Sequence, residues 1–383
     1  MSIEIIKFSK NFRRNFKMDK KLWKVAVVGC GRFASGIYLP NISKEANATC
    51  VAVVDPSEQA TKSACEKFGI KYSFKTVDEL IESGIEIDIA IDGAAIQAHY
   101  DINKKLLLAG INVITQKPAA PNLEKMQELM AIAKQKGVLF SSVPVHPMRY
   151  DIALAKNWMK NGAIGRPYYA KINICHGGPE YFQYRDVDPS WFYQEGSGAL
   201  VDMGVHGIQQ AVTLFGPAKW VSCTAITASP ERTCRSGKVN GLKIKTDIIP
   251  DQYFITLKYD DERMIFIDTG FSQKATKTPH IEIYGELGTI SFTEAYMTNP
   301  TPSIYVDNPN FDLRGWVTPD KGVLVPDKID SQCCCLKDMC NALETGAPLQ
   351  LSAELAAHVI EIMDKLVLSY TNSGKAIELT TTF

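Results

Sequence analysis

The amino-acid sequence predicts an α/β fold, with an N-terminal Rossmann domain followed by a C-terminal α+β domain that has a large, mostly antiparallel sheet. Strands and helices alternate from residue 22 to about residue 145, whereas long alternating strands joined by short polar turns dominate after that point. The length of 383 residues also exceeds one ordinary hydrophobic core. We therefore expect domains at 22–145 and 146–383, preceded by a basic, disordered extension at 1–21.

The first element is a strand that runs into a glycine turn, in the stretch LWKVAVVGCGRFA. Three valines precede Gly29, as is typical of a buried strand. Gly29 and Gly31 lack Cβ, so the chain can bend sharply and bring N–H groups close to an anion where the next helix begins. Ala34 stands where the third small residue of the dinucleotide fingerprint belongs. The turn, which includes Arg32 and Phe33, is a candidate phosphate-binding site.

The second strand distinguishes a nucleotide site from a purely structural turn. A glycine turn alone is a weak signal, because tight strand-to-helix turns occur in many α/β domains. The segment ATCVAVVDP, however, is a second apolar strand that ends in Asp55, 21 residues after Ala34. An acid at this spacing bonds the ribose hydroxyls of a dinucleotide. Since its carboxylate repels a 2′-phosphate, the expected cofactor is NAD and not NADP.

The elements up to residue 145 continue the alternation. Right-handed crossovers between successive strands then give a parallel sheet. Asn122 is expected to cap an amphipathic helix that ends at Gly137. The predicted elements are a helix at 57–68, a helix in TVDELIESG, a strand in IDIAI, a helix at 97–109, a strand in INVIT, the helix LEKMQELMAIAKQKG and a strand in VLFSSVP.

The second half of the chain consists mainly of successive strand-like segments with short polar turns, which favours an antiparallel or mixed sheet. One broad face of this sheet is expected to join subunits into a homodimer or homotetramer. Helices are expected at 151–160, 198–215 and 350–369, the last packing back on the first domain. The predicted strands lie in YYAKINIC, WVSCTAITA, QYFITLKYD, MIFIDTGF and HIEIYGELGTISF.

The composition argues against several classes of partner. Lys plus Arg and Asp plus Glu each number 42, so the formal net charge is zero. No overall field therefore attracts nucleic acid or an anionic membrane surface. No apolar run approaches the length of a membrane span. Small-molecule chemistry is the remaining expectation.

The N-terminal segment and the cysteines bear on the compartment. The first 24 residues hold eight Lys or Arg and two acids, and they lack the apolar stretch of a secretory signal. We expect the residues before Met18 to be a dispensable extension, and a basic targeting peptide is the alternative. Ten cysteines without such a signal indicate a reducing cytoplasm. No metal site is expected, because consecutive cysteines cannot all point at one ion and no CxxC pair occurs. The clustered cysteines are Cys333, Cys334, Cys335 and Cys340.

Three further features resemble one known family, the glucose-fructose oxidoreductase and inositol dehydrogenase (Gfo/Idh/MocA) family. TQKPAAPN resembles its Glu-Lys-Pro motif, and GSGALVDMGVHGIQ resembles its Gly-Gly-Gly-x-x-x-Asp-x-Gly-x-His helix. His99 lies 18 residues before Lys117, with Gly110 between them, as is common in the family. The likeness covers nearly the whole chain from about residue 22. It implies a dehydrogenase that acts on CH–OH groups with a nicotinamide cofactor.

The sequence also departs from the family pattern near the expected cofactor. Gln116 replaces the usual Glu before the lysine, AAI at 94–96 replaces a Thr-Pro-Asn-like loop, and Ser197 replaces a glycine. The resemblance implies that His99, Gln116 and Lys117 line the cofactor pocket, His99 in a supporting role. Positioning near the nicotinamide is therefore expected to differ, while the reacting groups are kept.

Oxidation of a secondary alcohol needs a base for the hydroxyl proton beside a hydride acceptor. Asp202 and His206 are four residues apart on a predicted helix, so they face the same way. Lys117 follows a strand at the carboxyl end of the parallel sheet, where such folds place their ligand crevice. Taken singly, a surface lysine and a helical Asp/His pair are the simpler interpretations, but their joint occurrence favours a site.

The resemblance implies a role for each of these groups. Lys117 would stabilise the forming alkoxide, His206 would take the proton, and Asp202 would bond a neighbouring hydroxyl or orient the imidazole. Partial burial and the nearby ammonium group are expected to lower the pKa of His206.

Substrate contacts are expected in HGGPEYFQYRDVDPSWFYQEG, residues 176–196, and in MRYD at 148–151. Aromatic rings with a few charged groups suit a carbohydrate, whose apolar ring face stacks while its hydroxyls form hydrogen bonds. Packing of the domain edge is the alternative for each residue. The roles of His146 and His176 stay open, with a position in a loop or in the core favoured for both. The candidate contacts are Arg149, Tyr181, Tyr184, Arg185, Trp191 and Asp202.

The leading functional hypothesis is an NAD-dependent oxidoreductase that transfers a hydride between NAD and a ring secondary alcohol of a sugar, glycoside or cyclic polyol. A redox-cycling glycosidase that retains its NAD is one alternative, and net NADH production separates the two. A non-enzymatic sugar or NAD sensor is another. Lys117, Asp202 and His206 argue against a sensor, which needs no proton acceptor.

Asp55 generates a prediction about cofactor choice. We expect NADP to bind at least about tenfold more weakly than NAD, since repulsion of the 2′-phosphate amounts to roughly 1.4 kcal/mol or more. Calorimetric titration of both cofactors measures the ratio. Equal or tighter binding of NADP would contradict the role given to Asp55.

Overall fold

The computed structural model describes residues 21–182, 188–235, 237–292, 302–309, 312–317 and 332–383. Residues 1–20, which hold most of the basic extension and Met18, lie outside the described residues. The first half contains six parallel strands in the order β3-β2-β1-β4-β5-β6, which is the doubly wound order. The strands are β1 Trp23–Val28, β2 Ala48–Val54, β3 Tyr72–Phe74, β4 Ile89–Asp92, β5 Asn112–Thr115 and β6 Phe140–Ser142.

Helices cover both faces of this sheet, and their ends follow from local side chains. The Asn122 side chain accepts a hydrogen bond from the Lys125 N–H, and Gly137, with φ +69°, ends the same helix, as predicted. The helices of this half are α1 Ile42–Glu45, α2 Glu58–Phe68, α3 Val77–Glu82, α4 His99–Leu108 and α5 Leu123–Lys136. Apolar side chains between helices and sheet form the core of this half.

The described residues of the second half include nine strands in one sheet, in the order β16-β15-β14-β13-β7-β12-β11-β8-β17. Among these nine strands only β7 and β12 pair in parallel, so the predicted large, mostly antiparallel sheet is confirmed. Strands β9 and β10 form a separate two-stranded ribbon that packs against this half. The strands are β7 Pro167–Cys175, β8 Trp220–Ile226, β9 Glu231–Thr233, β10 Lys243–Lys245, β11 Gln252–Lys258, β12 Met264–Gly270, β13 Ile281–Gly285, β14 Gly288–Phe292, β15 Ser303–Asn308, β16 Leu313–Val317 and β17 Ile377–Glu378.

The helices of the second half are α6 Tyr150–Lys160, α7 Pro179–Phe182, α8 Val205–Phe215, α9 Cys334–Thr345 and α10 Ala353–Thr371. The four clustered cysteines are buried in or beside α9, which packs on the first-half core. None of the helices in the described ranges combines the length and apolar character that a bilayer crossing requires.

Two predicted helices differ from the structure in their first turns. The chain is helical over the whole expected range 198–215, but its start is irregular, because Gly198 has a positive φ of +91°. A π-helical segment, Leu200–Gly204, then leads into α8. After the glycine turn the chain is also π-helical over Ala34–Tyr38, and Pro40 prevents its continuation.

The long helix α10 contacts both halves of the molecule. Its Asp364 carboxylate accepts a hydrogen bond of 2.8 Å from the Leu123 N–H at the start of α5. On the other side, Ser369 Oγ accepts a hydrogen bond of 2.9 Å from the Cys223 N–H in β8. These contacts fix α10 between the parallel sheet and the nine-stranded sheet.

His358 on α10 is fully buried and must be neutral to make both of its hydrogen bonds. Its Nε2 accepts from the Ala218 N–H at 3.0 Å, and its Nδ1 lies 2.9 Å from Thr381 Oγ1. Burial lowers the pKa of His358 to about 4 from 6.5. Between these pH values His358 takes up a proton in the unfolded chain but not in the folded chain. The free energy of unfolding therefore falls as the pH falls from 6.5 to about 4.

Replacing His358 by Gln tests this linkage. We expect the fall in the free energy of unfolding between pH 6.5 and pH 4.5 to become shallower by up to about 1.4 kcal/mol per pH unit, because one titrating imidazole is gone. Denaturant unfolding of both proteins at several pH values measures the slope. An unchanged slope would contradict the neutral, buried state of His358.

Candidate active site at the domain junction

The glycine turn forms an open cradle at the carboxyl end of β1. Gly29 has a φ of +85° and its N–H donates to the Val54 carbonyl at 2.7 Å. A Cβ on Gly29 would lie 2.7 Å from the Gly93 carbonyl oxygen, so only glycine fits. A Cβ on Gly31 would meet no atom within 4 Å, which leaves space for a ligand against the backbone.

Asp55 lies directly beside this cradle. One carboxylate oxygen accepts a hydrogen bond of 2.8 Å from the Cys30 N–H, and the other accepts one of 2.8 Å from the Ser57 N–H. The acid from the end of β2 is thus fixed against the turn, as a ribose-binding carboxylate requires. The cradle and the acid fit a bound dinucleotide.

His99 is buried between two loops and contacts a backbone carbonyl of each. It is 1% exposed, with Nδ1 2.9 Å from the Pro118 carbonyl oxygen and Nε2 3.1 Å from the Ala94 carbonyl oxygen. It therefore joins the AAI loop to the segment that carries Lys117. Nearby, burial raises the pKa of Asp92.

Gln116 contacts the side chain that follows the glycine turn. Its Nε2 donates a short hydrogen bond to the hydroxyl of Tyr38, and the ring of Phe33 packs edge-on against Tyr38 with centroids 5.4 Å apart. An amide can donate to the phenol, which an ionised glutamate, the residue that the resemblance leads one to expect here, cannot do. Gln116 therefore adds a hydrogen-bond donor at this position.

Lys117 crosses from the first domain to the second. Its Nζ donates to the Asp202 carboxylate at 3.0 Å, to the Asp202 carbonyl at 2.9 Å and to the Val201 carbonyl at 3.3 Å. Both side chains are largely buried, at 15% and 25% exposure. Burial alone disfavours the Asp202 carboxylate, but the Lys117 charge and hydrogen bonds from His176 and Lys117 outweigh it and hold the pKa well below its usual range.

His206 lies one turn beyond Asp202, on the side of α8 that faces the junction. Gly207 lets α8 approach the sheet closely, because a Cβ there would lie 2.8 Å from Ile174 and 2.9 Å from Ile267. Burial, and then the charge of Lys117, lower the pKa of His206 to about 3. The imidazole is therefore neutral near neutral pH.

Two histidines whose role the sequence left open, His146 and His176, meet these residues. Nε2 of His146 lies 3.0 Å from Nδ1 of His206. His176 stacks on Phe271 with centroids 4.8 Å apart and accepts the Gly178 N–H at Nδ1, so its Nε2, 3.7 Å from Asp202, carries the hydrogen. Neither contact leaves a local sequence signal, because the partners are 60 and 26 residues apart.

A buried ionic cluster that the sequence did not indicate anchors the segment after His176. The Arg232 guanidinium, 8% exposed, donates to Glu180 at 2.9 Å and to Asp251 at 2.7 Å, and also to the Gly177 carbonyl at 3.0 Å. The hydroxyl of Tyr193 donates to Glu180. These hydrogen bonds to Glu180, Asp251 and the Gly177 carbonyl fix the loop that carries His176.

The predicted substrate contacts separate into three groups. Arg149 makes a bidentate pair with buried Asp151, at 3.0 and 2.6 Å, close enough for its charge to act on His206. Tyr181 is 43% exposed, and Trp191 stacks on Phe192 with centroids 3.7 Å apart. Tyr184 and Arg185 lie outside the described residues.

These features define a dinucleotide-binding protein of two domains. They are the doubly wound sheet, the glycine cradle with Asp55 beside it, and Lys117, which reaches into the second domain. The family model described as "Oxidoreductase family, NAD-binding Rossmann fold" matches residues 23–143, and the Gfo/Idh/MocA C-terminal domain model matches residues 152–291. The chain belongs to the Gfo/Idh/MocA family of oxidoreductases, and its cofactor is NAD.

Curated relatives include levoglucosan dehydrogenase of Pseudarthrobacter phenanthrenivorans, 26% identical over 285 residues, or 70% of each chain. D-Glucoside 3-dehydrogenase of Escherichia coli is 21% identical over 252 residues, 65% of this chain and 70% of the relative. For another relative, the oxidoreductase YhhX of Escherichia coli, the match covers 53% of its length.

A solved structure of levoglucosan dehydrogenase, in complex with NADH and levoglucosan, superposes with a TM-score of 0.79 at 20% identity. The superposition covers 94% of this chain and 100% of that chain. An oxidoreductase from Agrobacterium radiobacter, in complex with NAD+, L-tartaric acid and magnesium, superposes with a TM-score of 0.75 at 18% identity, over 94% of this chain and 98% of that chain. These structures share the fold of this protein.

The two glycines of the cradle give a matched pair of variants. Gly29→Ala should lower the free energy of unfolding by at least about 1 kcal/mol, because the new Cβ meets the Gly93 carbonyl and φ is positive. Gly31→Ala should leave stability unchanged but weaken NAD binding, because its Cβ points into open space. Thermal unfolding and NAD titration measure both effects, and equal behaviour of the two variants would contradict this division.

Proposed function

We propose that the protein is an NAD-dependent dehydrogenase of a ring secondary alcohol in a sugar, glycoside or cyclic polyol. The observation that carries the proposal is the convergence of Lys117, Asp202 and His206 at the domain junction. Bound NAD supplies the hydride acceptor. The carbohydrate class is supported by the names of two relatives, a levoglucosan dehydrogenase and a D-glucoside 3-dehydrogenase.

The electrostatics of the three residues suit proton removal from a hydroxyl. The ammonium group of Lys117 stabilises negative charge that develops on the alcohol oxygen. His206 is neutral at working pH, with a pKa of about 3, and so is in the proton-accepting state. Asp202 remains ionised. One carboxylate oxygen accepts from Lys117 at 3.0 Å and the other lies 3.7 Å from Nε2 of His176, which leaves carboxylate lone pairs for a neighbouring substrate hydroxyl.

The two domains have different roles in this proposal. We assign residues 22–145 to cofactor binding and 146–383 to substrate binding and association, a division that the extents of the two family models support. Tyr181 and Trp191 are the aromatic groups proposed for the apolar face of a sugar ring.

A screen of polyols, sugars and glycosides for net NADH formation tests the activity. Net NADH with a ring alcohol supports the dehydrogenase. Sugar release without net NADH would point to the redox-cycling glycosidase, and neither product with any compound would favour a sensor.

Removal of the proposed reacting groups should separate chemistry from cofactor binding. We expect His206→Ala to slow hydride transfer about 10²- to 10⁴-fold, and Lys117→Ala to cost on the order of 3 kcal/mol in the barrier. NAD affinity should change little, because the cradle and Asp55 hold the cofactor. Single-turnover rates and NAD titration on the same preparations measure both quantities.

The control is Lys105→Ala, which removes a surface lysine paired with Asp78. Near-normal turnover in both site variants, or loss of activity only through loss of NAD, would contradict the catalytic assignment.

We also propose that a second copy of the chain packs on the outer face of the nine-stranded sheet. Phe254 on β11 and Phe266 on β12 point outward on neighbouring strands, at 45% and 41% exposure, and Tyr169 and Tyr284 stack beside Phe266. Exposed apolar surface of this kind favours association between subunits.

The variant Phe254→Lys with Phe266→Glu is expected to reduce a dimer or tetramer to a monomer, because it places charges in the buried contact. Light scattering measures the mass. Leu108→Lys, on an equally exposed apolar residue of α4, is the control. A monomeric unaltered protein would contradict this interface.

A further inference from the structure

His146 and His206 form a pair of neutral rings that share one hydrogen. Nε2 of His146 lies 3.0 Å from Nδ1 of His206, and the rings meet edge to face with centroids 5.3 Å apart. Burial lowers the pKa of both imidazoles. Since a neutral imidazole has one donor and one acceptor nitrogen, one ring donates and the other accepts.

The geometry of the pair indicates which ring donates. Nδ1 of His206 lies against Nε2 of His146, so Nε2 is the nitrogen of His206 that is left to take a proton. A nitrogen that takes a proton must carry a lone pair, so the single hydrogen of the neutral His206 ring lies on Nδ1 and points at His146. The charge of Lys117, which lowers the pKa of His206, also favours the neutral ring. The charged and titratable groups around His206 are Lys117, Asp202, Arg149, His280 and His146.

Gln210 provides the acceptor that this arrangement needs behind His146. The side-chain amide of Gln210 is buried on α8, one turn after His206, with its nitrogen 3.5 Å from Nδ1 of His146. Its Oε1 has no hydrogen-bond partner within the described part of the chain. The two ends of an amide are alike in shape, so rotation by 180° lets Oε1 accept the Nδ1–H of His146.

We propose that His146 is a positioning residue for His206: its Nε2 accepts the Nδ1–H of His206, which makes Nε2 of His206 the nitrogen that takes the hydroxyl proton. The proposal rests on the proposed function for the source of that proton. In the oxidation, the substrate C–H bond breaks with its electron pair passing to NAD, and the O–H proton moves to Nε2 of His206. The imidazolium formed is then stabilised by its hydrogen bond to His146.

Ring nitrogen NMR on the full chain without substrate tests the tautomer directly. Histidines labelled with ¹⁵N in the ring distinguish a protonated from an unprotonated nitrogen, and single variants assign each of the six residues. We expect the hydrogen of His206 on Nδ1, and a shift toward Nε2 in His146→Phe. A hydrogen on Nε2 of His206 in the unaltered protein would overturn the proposal.

Turnover with a ring alcohol found in the screen gives the second readout. His146→Phe should lower kcat on the order of 10²-fold with KM nearly unchanged, at the low end of what a general base supplies. His146→Gln should recover part of this loss, because its Oε1 can accept the same hydrogen. His358→Gln controls for loss of a buried imidazole elsewhere.

The two readouts separate the proposal from the proposed function. Absence of hydride transfer with every alcohol would contradict the proposed dehydrogenase activity. The NMR result would still decide the tautomer of His206. An unchanged kcat and an unchanged His206 tautomer in His146→Phe would overturn the positioning role, even in an active dehydrogenase.

Discussion

The contact between Lys117 and Asp202 is the constraint on which the candidate site depends. The lysine belongs to the end of a parallel strand and the aspartate to the entry of α8, 85 residues later. Three oxygen atoms around one ammonium group fix how the two domains meet. Loss of either partner would leave a largely buried charge uncompensated, which costs about 3–5 kcal/mol in proteins.

Other parts of the fold hold this contact in place. Gly207 allows α8 to lie close to the nine-stranded sheet, so Asp202 and His206 are supported by a rigid surface. Arg232, buried and paired with two acids, anchors the loop that brings His176 to Asp202. The helix α10 bonds to α5 in one domain and to β8 in the other, which limits their relative movement.

The electrostatics of the junction follow from this packing. Burial disfavours charge on His206, and the adjacent ammonium group disfavours it further, so the pKa of His206 is low. The same ammonium group keeps Asp202 ionised. The Lys117 ammonium group therefore favours a neutral His206 and an ionised Asp202 within one helical turn. Acid–base chemistry requires neighbouring groups whose pKa values are separated in this way.

The sequence by itself determined the doubly wound domain, the mostly antiparallel sheet and the residues with motif signatures, because alternation of apolar residues and glycine spacing are local patterns. Gly29, Asp55, Lys117 and Asp202 could be found in this way. The tertiary structure alone brought His146 to His206 and His176 to Asp202, and it alone buried Arg232 between two acids. Those contacts join residues far apart in the chain, whose pairing depends on how two sheets and α8 pack and leaves no periodic trace in the sequence.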